Sequence, residues 1–147
     1  MKNFEIELIS TLQTIHVRHE VLRRGKPVET CNFDGDNDES TTHFGAIVNH
    51  QVVGVVSLMK KNNLIFNSKK QYQLRGMAVL PEFRKLNLGK SLIVNAEVYL
   101  KNKNVDFLWM NAREIAMKFY EKNGYKIHGE QFLIPGVGPH YLMFKNL

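Results

Sequence analysis

Residues 74–93, LRGMAVLPEFRKLNLGKSLI, constrain this chain more than any other stretch, because they read in order as an apolar strand, a proline stop, a basic turn and a helix start. That succession builds a cradle for an anion. The first backbone N–H groups of a helix have no intrahelical partner, so they point outward together, and the macrodipole adds about half a positive charge at the same end. Arg84, Lys85 and Lys90 surround the turn with full charges, so the ligand it suits is a pyrophosphate. Leu88-Gly89-Lys90-Ser91 copies the end of the nucleotide-binding pattern G-x-x-x-x-G-K-[ST], but the first glycine of that pattern would fall at Arg84. No later strand ends in an acid suited to magnesium, since Met110 and Asn111 close the best-placed one.

The rest of the chain supplies the sheet that this helix needs. Phe4, Ile6 and Leu8 alternate with more polar neighbours and predict a first strand. Ser10 with Gln13 forms a capping box, after which Leu12, Ile15, His16, His19 and Leu22 recur at helical spacing until Gly25 and Pro27. The Asp-, Asn- and Gly-rich residues 28–41 predict a loop, and residues 43–49 and 52–58 a hairpin. A strand over 72–80 stops at Pro81, and Leu92, Ile93, Ala96, Tyr99 and Leu100 give the following helix one sheet-facing side, to about Lys103. Residues 105–110 read as a buried central strand, 113–122 as a short helix ended by Gly124, and 125–133 and 140–144 as two last strands. The order β-α-β-β-β-α-β-α-β-β predicts an α/β (α+β) fold: a mixed, mostly antiparallel sheet of about six or seven strands flanked by about three or four helices.

At 147 residues, 44% hydrophobic and 23% charged, the chain is expected to form one domain, 1–147, with about two thirds of its unfolded surface buried. No apolar run approaches the roughly 20 residues that span a bilayer, and the first residues lack the apolar core of a signal peptide, so a cytoplasmic location is expected. Cys31 stands alone; it forms no internal disulfide and is read as an inert, partly buried thiol. The net charge of +6 favours anionic ligands. Its basic residues are scattered, however, with no aromatic-interleaved stripe and no helix-turn-helix, zinc-finger or RNA-recognition pattern, which disfavours nucleic acid as the partner. The histidines lack metal-ligand spacing, and Asp34–Glu39 fails the calcium-loop pattern, which needs Gly at its sixth position and Glu at its twelfth, here Glu39 and Gly45. No metal is expected.

Arg84-Lys-Leu-Asn-Leu-Gly89 resembles the Q/R-x-x-G-x-G/A motif of the GNAT N-acetyltransferase superfamily, preceded by the strand end Met-Ala-Val-Leu-Pro that those enzymes share. Ala116-Met-Lys-Phe-Tyr-Glu-Lys-Asn-Gly-Tyr125 resembles their second signature, A-x-x-[LF]-Y-E-K-x-G-F, in the expected order and separation. The resemblance implies transfer of an acetyl group from acetyl-CoA to a primary amine, by direct attack in a ternary complex. It implies that Arg84, Lys85, Leu86, Asn87, Leu88, Gly89 and Lys90 wrap the coenzyme A phosphates and that Met77 and Val79 offer backbone groups to its pantetheine arm, with Ala78 and Ser91 also among the cofactor-binding residues. Asn111, Arg113, Ala116, Phe119 and Tyr120 complete the implied cofactor set. The Val79 N–H would stabilise the oxyanion as an amine attacks the thioester, and Tyr120 would protonate the departing thiolate.

Two departures stand out. Asn87 replaces the usual first glycine, and Asn is the residue best able to take a left-handed backbone in its place. Arg113 stands where many members carry a cofactor-contacting asparagine. The 105–110 strand supplies no glutamate base, which leaves His140 as the leading candidate because imidazole titrates near neutral pH. Arg18, His19, Arg23, His43 and Arg75 are expected to line an acceptor pocket and to favour a substrate with a carboxylate or phosphate; the Asp-rich loop is read as a cover for it. The acceptor is expected to be a small-molecule or peptide amine, and the resemblance admits a homodimer. Two rivals stay open from sequence: a non-catalytic acyl-CoA sensor and a basic nucleic-acid-binding module.

Overall fold

The structure, a computed structural model, describes residues 3–147; Met1 and Lys2, at the start of the N-terminal stretch read above, lie outside them. Seven strands form one sheet in the order β1-β2-β3-β4-β5-β7-β6, with β1 Glu5–Ile9, β2 Thr42–Val48, β3 Gln51–Lys60, β4 Gln71–Val79, β5 Phe107–Arg113, β6 Lys126–Ile134 and β7 Gly138–Asn146. Every neighbouring pair is antiparallel except β4 with β5, so the mixed, mostly antiparallel sheet expected from sequence is the one observed. Three α-helices, α1 Thr11–Leu22, α2 Leu88–Asn102 and α3 Met117–Lys122, are joined by 3-10 turns at 28–31, 81–86 and 114–116.

The helices sit on both faces. Ser57 of β3 accepts a hydrogen bond from Arg18 of α1, whereas a Cβ on Gly54 would meet Leu92 of α2 at 3.3 Å. Positions 54 and 57 differ by an odd number, and side chains along a strand alternate between faces, so α1 and α2 cover opposite sides. Leu92, Ile93, Ala96 and Leu100 of α2 are buried as its spacing requires, in one core with Val53, Val55, Val56, Leu58 and Leu108. A smaller cluster of Phe107, Trp109 and Leu142 is covered by Phe66, 4.7 Å from Phe107 between ring centroids.

Local chemistry sets several boundaries. The Ser10 side chain accepts from the Gln13 N–H while the Gln13 side chain accepts from the Ser10 N–H, the expected capping box. Asn49 and His50 turn the β2–β3 hairpin with φ of +48° and +64°, the twist-matched two-residue form. Gly124 has φ +94° beyond α3.

Two predicted faces are corrected. Leu12 is 82% exposed and Leu8 66%; α1 instead buries Thr14, Val17 and Arg18, for a reason given below. The 28–41 segment is not all loop, since residues 28–31 form a 3-10 turn that buries Cys31 completely, and that burial pushes its thiol above the ordinary cysteine range.

One irregularity positions everything that follows. Val55 faces Ala78 and Ser57 faces Arg75, so Gly76 and Met77 of β4 together oppose the single residue Val56 of β3. That is a β-bulge, and Gly76 takes φ +63° to make it.

Candidate active site

β4 and β5 pair only where residues 71–73 face 107–109. Both strands run on, β4 to Val79 and β5 to Arg113, and they diverge. Between them lies a cleft of about 960 Å³, lined by β4 from Gln73 to Val79, by Met110, Asn111 and Arg113 of β5, and by His140 of β7. The turn before α2 contributes Arg84, Asn87, Gly89 and Lys90, the α3 region Ala116, Phe119 and Tyr120, and the α1 side Arg23, Phe33 and Asp34.

The splay leaves backbone groups of β4 without a strand partner. The Leu80 N–H donates to Val53 O at 2.8 Å on the β3 side. Backbone polar groups of successive residues point to opposite edges of a strand, so the N–H and C=O of Val79 point away from β3 and into the cleft. Its carbonyl accepts from Arg84 Nε at 3.2 Å. Its N–H has no partner among the described residues.

Directly beyond, Pro81–Leu86 forms a 3-10 turn and Asn87 adopts φ 58°, ψ 32°, the left-handed conformation that its substitution for glycine calls for. The first helical bond of α2 runs from Ser91 N–H to Asn87 O, so the N–H groups of Leu88, Gly89 and Lys90 remain donors without a backbone acceptor. A Cβ on Gly89 would lie 3.1 Å from the Phe119 ring; glycine lets α3 close against the start of α2. Placement within the motif is selective. Lys85 and Leu86 are exposed and Ser91 half-buried, none of them on the cleft, and the Leu88 side chain is fully buried in the core, which leaves only its backbone to serve as a cradle. Ser91 borders instead a separate hollow of about 700 Å³ between β1 and α2, which Lys90 borders as well as the cleft.

Tyr120 reaches the cleft from α3 and is 5% exposed. Its ring packs edge-on against Phe119 and Tyr125, at 5.3 and 5.8 Å between centroids; its hydroxyl has no hydrogen-bond partner among the described residues. Burial pushes the phenol above its ordinary range, so it holds its proton until a strong base arrives. His140 is 4% exposed, and its Nδ1 lies 2.8 Å from Gly138 O. A carbonyl can only accept, so Nδ1 carries the hydrogen and Nε2 of the neutral ring keeps its lone pair.

The expected acceptor residues divide. Arg75 and Arg23 line the cleft, but Arg18, His19 and His43 do not. Arg18 is completely buried: Nη1 bonds Asp36 Oδ2 at 2.7 Å and Cys31 O at 2.9 Å, and Nη2 bonds Asp36 Oδ1 and Ser57 Oγ at 2.9 Å. Burial raises the Asp36 carboxyl, but hydrogen bonds from Arg18 and from the Phe33 N–H, with the Arg18 charge, outweigh it and hold the group below the ordinary carboxylate range. His43 is buried beside them, with Nδ1 2.6 Å from Ser57 Oγ and Nε2 3.0 Å from Asp36 O. His19 Nε2 bonds Lys26 O at 2.8 Å near the end of α1. Arg18 and His43 moor the Asp-rich loop to α1 and β3, and His19 ties the end of α1 to the turn at Lys26. The loop does reach the site, through Phe33 and Asp34; the only sequence signal for Phe33 was an aromatic residue stranded in a polar segment.

The chain belongs to the Acetyltransferase (GNAT) family, which it matches over residues 8–125. It is 34% identical over 143 residues to the Bacillus subtilis (strain 168) protein named as uncharacterized N-acetyltransferase YitI, an alignment covering 97% of this chain and 96% of that one. Among solved structures, a candidate N-acetyltransferase from Lactobacillus plantarum superposes with a TM-score of 0.80 at 16% identity, covering 99% of both chains. The PaiA N-acetyltransferase of Thermoplasma acidophilum, solved in complex with coenzyme A, superposes with a TM-score of 0.71 at 19% identity, covering 98% of this chain and 99% of that one. The two signatures and the architecture they implied are both borne out.

Proposed function

We propose that this protein moves the acetyl group of acetyl-CoA to a primary amine by direct attack while both are bound. The observation that carries the reading is a set of unspent donors on one cleft: the Val79 N–H faces it, and the N–H groups of Leu88, Gly89 and Lys90 lack a backbone acceptor in the turn that contributes Gly89 and Lys90 to its lining. The PaiA structure, with the same fold, contains coenzyme A, which supports it. The residues present suit such a ligand, since Arg84 and Lys90 bring charge to the orphan donors of α2 and Met77 and Val79 of β4 line the cleft.

Bound acetyl-CoA would supply an activated acyl carbon and a thiolate leaving group. The Val79 N–H is fixed by the β3 pairing on either side of it and donates to the carbonyl oxygen on which negative charge develops. The Tyr120 hydroxyl delivers its proton to the departing sulfur, and its raised affinity for that proton keeps it in the donor form across neutral pH. His140 Nε2 accepts the proton that the amine must lose. Holding both reactants in one cleft supplies much of the rate.

Calorimetric titration with acetyl-CoA, and separately with ATP, tests the reading. Saturable acetyl-CoA binding that weakens at least about tenfold in Arg84→Glu is expected. Preference for ATP, no acetyl-CoA binding, or a dissociation constant unchanged in Arg84→Glu would overturn it.

A further inference from the structure

We propose that the end of the cleft away from the α2 turn holds a carboxylate or phosphate on the acceptor amine, gripped by Arg23, Arg75 and Arg113. The proposal rests on the acetyl-transfer reading above and names the substrate class for it: a small amine that is also an anion.

All three arginines border the cleft, and the hydrogen-bonding capacity of their guanidinium groups is barely used. Arg75 has one long contact, Nη1 to Met59 Sδ at 4.0 Å. Arg23 Nη1 and Arg113 Nη2 each reach the same Leu22 carbonyl at 3.3 Å. A guanidinium has five donors, so most remain available. No ion pair neutralises them: the ion pairs among the described residues are Arg18–Asp36 and Lys145–Glu97, and Asp34, which borders the same cleft, pairs with none of the three. Burial lowers the proton affinity of Arg75 and Arg113; at Arg75 the charge of Arg18 and then of Arg23 lowers it further, with Asp36 and Asp34 offsetting only part of this, and Arg23 does the same at Arg113, so the cluster repels itself. Such an arrangement is stabilised by an anion and worsened by a cation.

The cluster is also pre-positioned. The Phe33 ring lies 4.7 Å from the Arg75 guanidinium carbon, 5.8 Å from that of Arg23 and 4.0 Å from that of Arg18. Stacking on an aromatic face orients a guanidinium without cancelling its charge, and Arg18, tied to Asp36, anchors the ring. Planar guanidinium groups held this way suit the paired oxygens of a carboxylate or phosphate. The same cluster disfavours polycationic acceptors.

The test is titration of the protein, free and saturated with coenzyme A, with matched amines: 4-aminobutyrate against 4-aminobutanamide, and 2-aminoethyl phosphate against ethanolamine. At least one anionic member should bind about tenfold or more tighter than its neutral partner, and which pair shows the larger ratio separates carboxylate from phosphate. The preference should disappear in Arg75→Gln and in Arg23→Gln and survive in part in Arg75→Lys, with coenzyme A affinity unchanged in Arg23→Gln. Equal binding of anionic and neutral partners, or a preference that both Gln variants retain, overturns the proposal. Coenzyme A binding without an anionic preference would sink this inference alone; its absence would sink the acetyl-transfer reading, whereas the anion titrations on free protein would still decide the arginine site.

Discussion

The buried Arg18–Asp36 pair makes a strong claim, that Arg18 is a structural tether rather than an acceptor residue, and Asp36→Asn tests it. The substitution keeps volume and removes charge, leaving a completely buried guanidinium without its carboxylate. Breaking a buried pair on one side costs about 3–5 kcal/mol, because the remaining charge is uncompensated. Arg18 keeps Cys31 O and Ser57 Oγ as acceptors, which places the expected loss at the low end, about 3 kcal/mol. For a domain of this size that corresponds to a fall in Tm of about 6–12 °C. Urea unfolding should show a lower midpoint with an unchanged slope. The pH dependence provides a second readout. The folded-state affinity of Asp36 for its proton lies below the unfolded value near 4, so its contribution is full above that pH and is lost as pH falls through the folded value. Wild-type stability should therefore drop more steeply than that of Asp36→Asn as the solution is acidified below about pH 4. A loss under about 1 kcal/mol, or identical acid profiles, would refute the tether.

Tyr120→Phe should lower kcat by about a hundredfold or more while leaving coenzyme A affinity near wild type, measured by thiol release and calorimetry; unchanged turnover would reject the proton-donor role. At Asn87, where φ is +58°, glycine should be tolerated and valine should cost about 1–2 kcal/mol of backbone strain with weakened coenzyme A binding; equal stability and binding in both variants would deny the turn its importance. His140→Gln should lower kcat/KM with coenzyme A affinity near wild type, and unaltered turnover would send the search for a base elsewhere.

Local rules carried most of the fold. The Ser10–Gln13 box, Gly124 after α3 and the left-handed Asn87 each follow from what one or two residues can do with their own backbone, whereas the hairpin was read with its turn one residue late, Asn49 being a turn residue and not the end of the strand. The inward face of α1 failed for a physical reason: the residue that fills the interior is an arginine whose partner, Asp36, lies in a segment with the composition of a solvated loop. Hydrophobic periodicity cannot see a buried ion pair, so it turned Leu12 inward and left Arg18 off the buried face, assigned to the acceptor pocket instead. The cradle was legible because its residues are contiguous, whereas the splay that makes it useful was not, because it depends on where β4 stops pairing with a strand far along the chain. The grouping of Arg23, Arg75 and Arg113 joins three separate elements and emerges only in three dimensions.

The Gly76–Met77 bulge has a thermodynamic corollary. Its extra residue is built into the covalent chain, so the divergence of β4 from β5 persists without any ligand to wedge the strands apart. An incoming molecule meets an opening already formed, and no interstrand hydrogen bonds have to be broken to admit it. Binding at that edge should then resemble docking to a rigid mould, with a heat-capacity change set by the surface covered alone and an association rate free of a slow opening step.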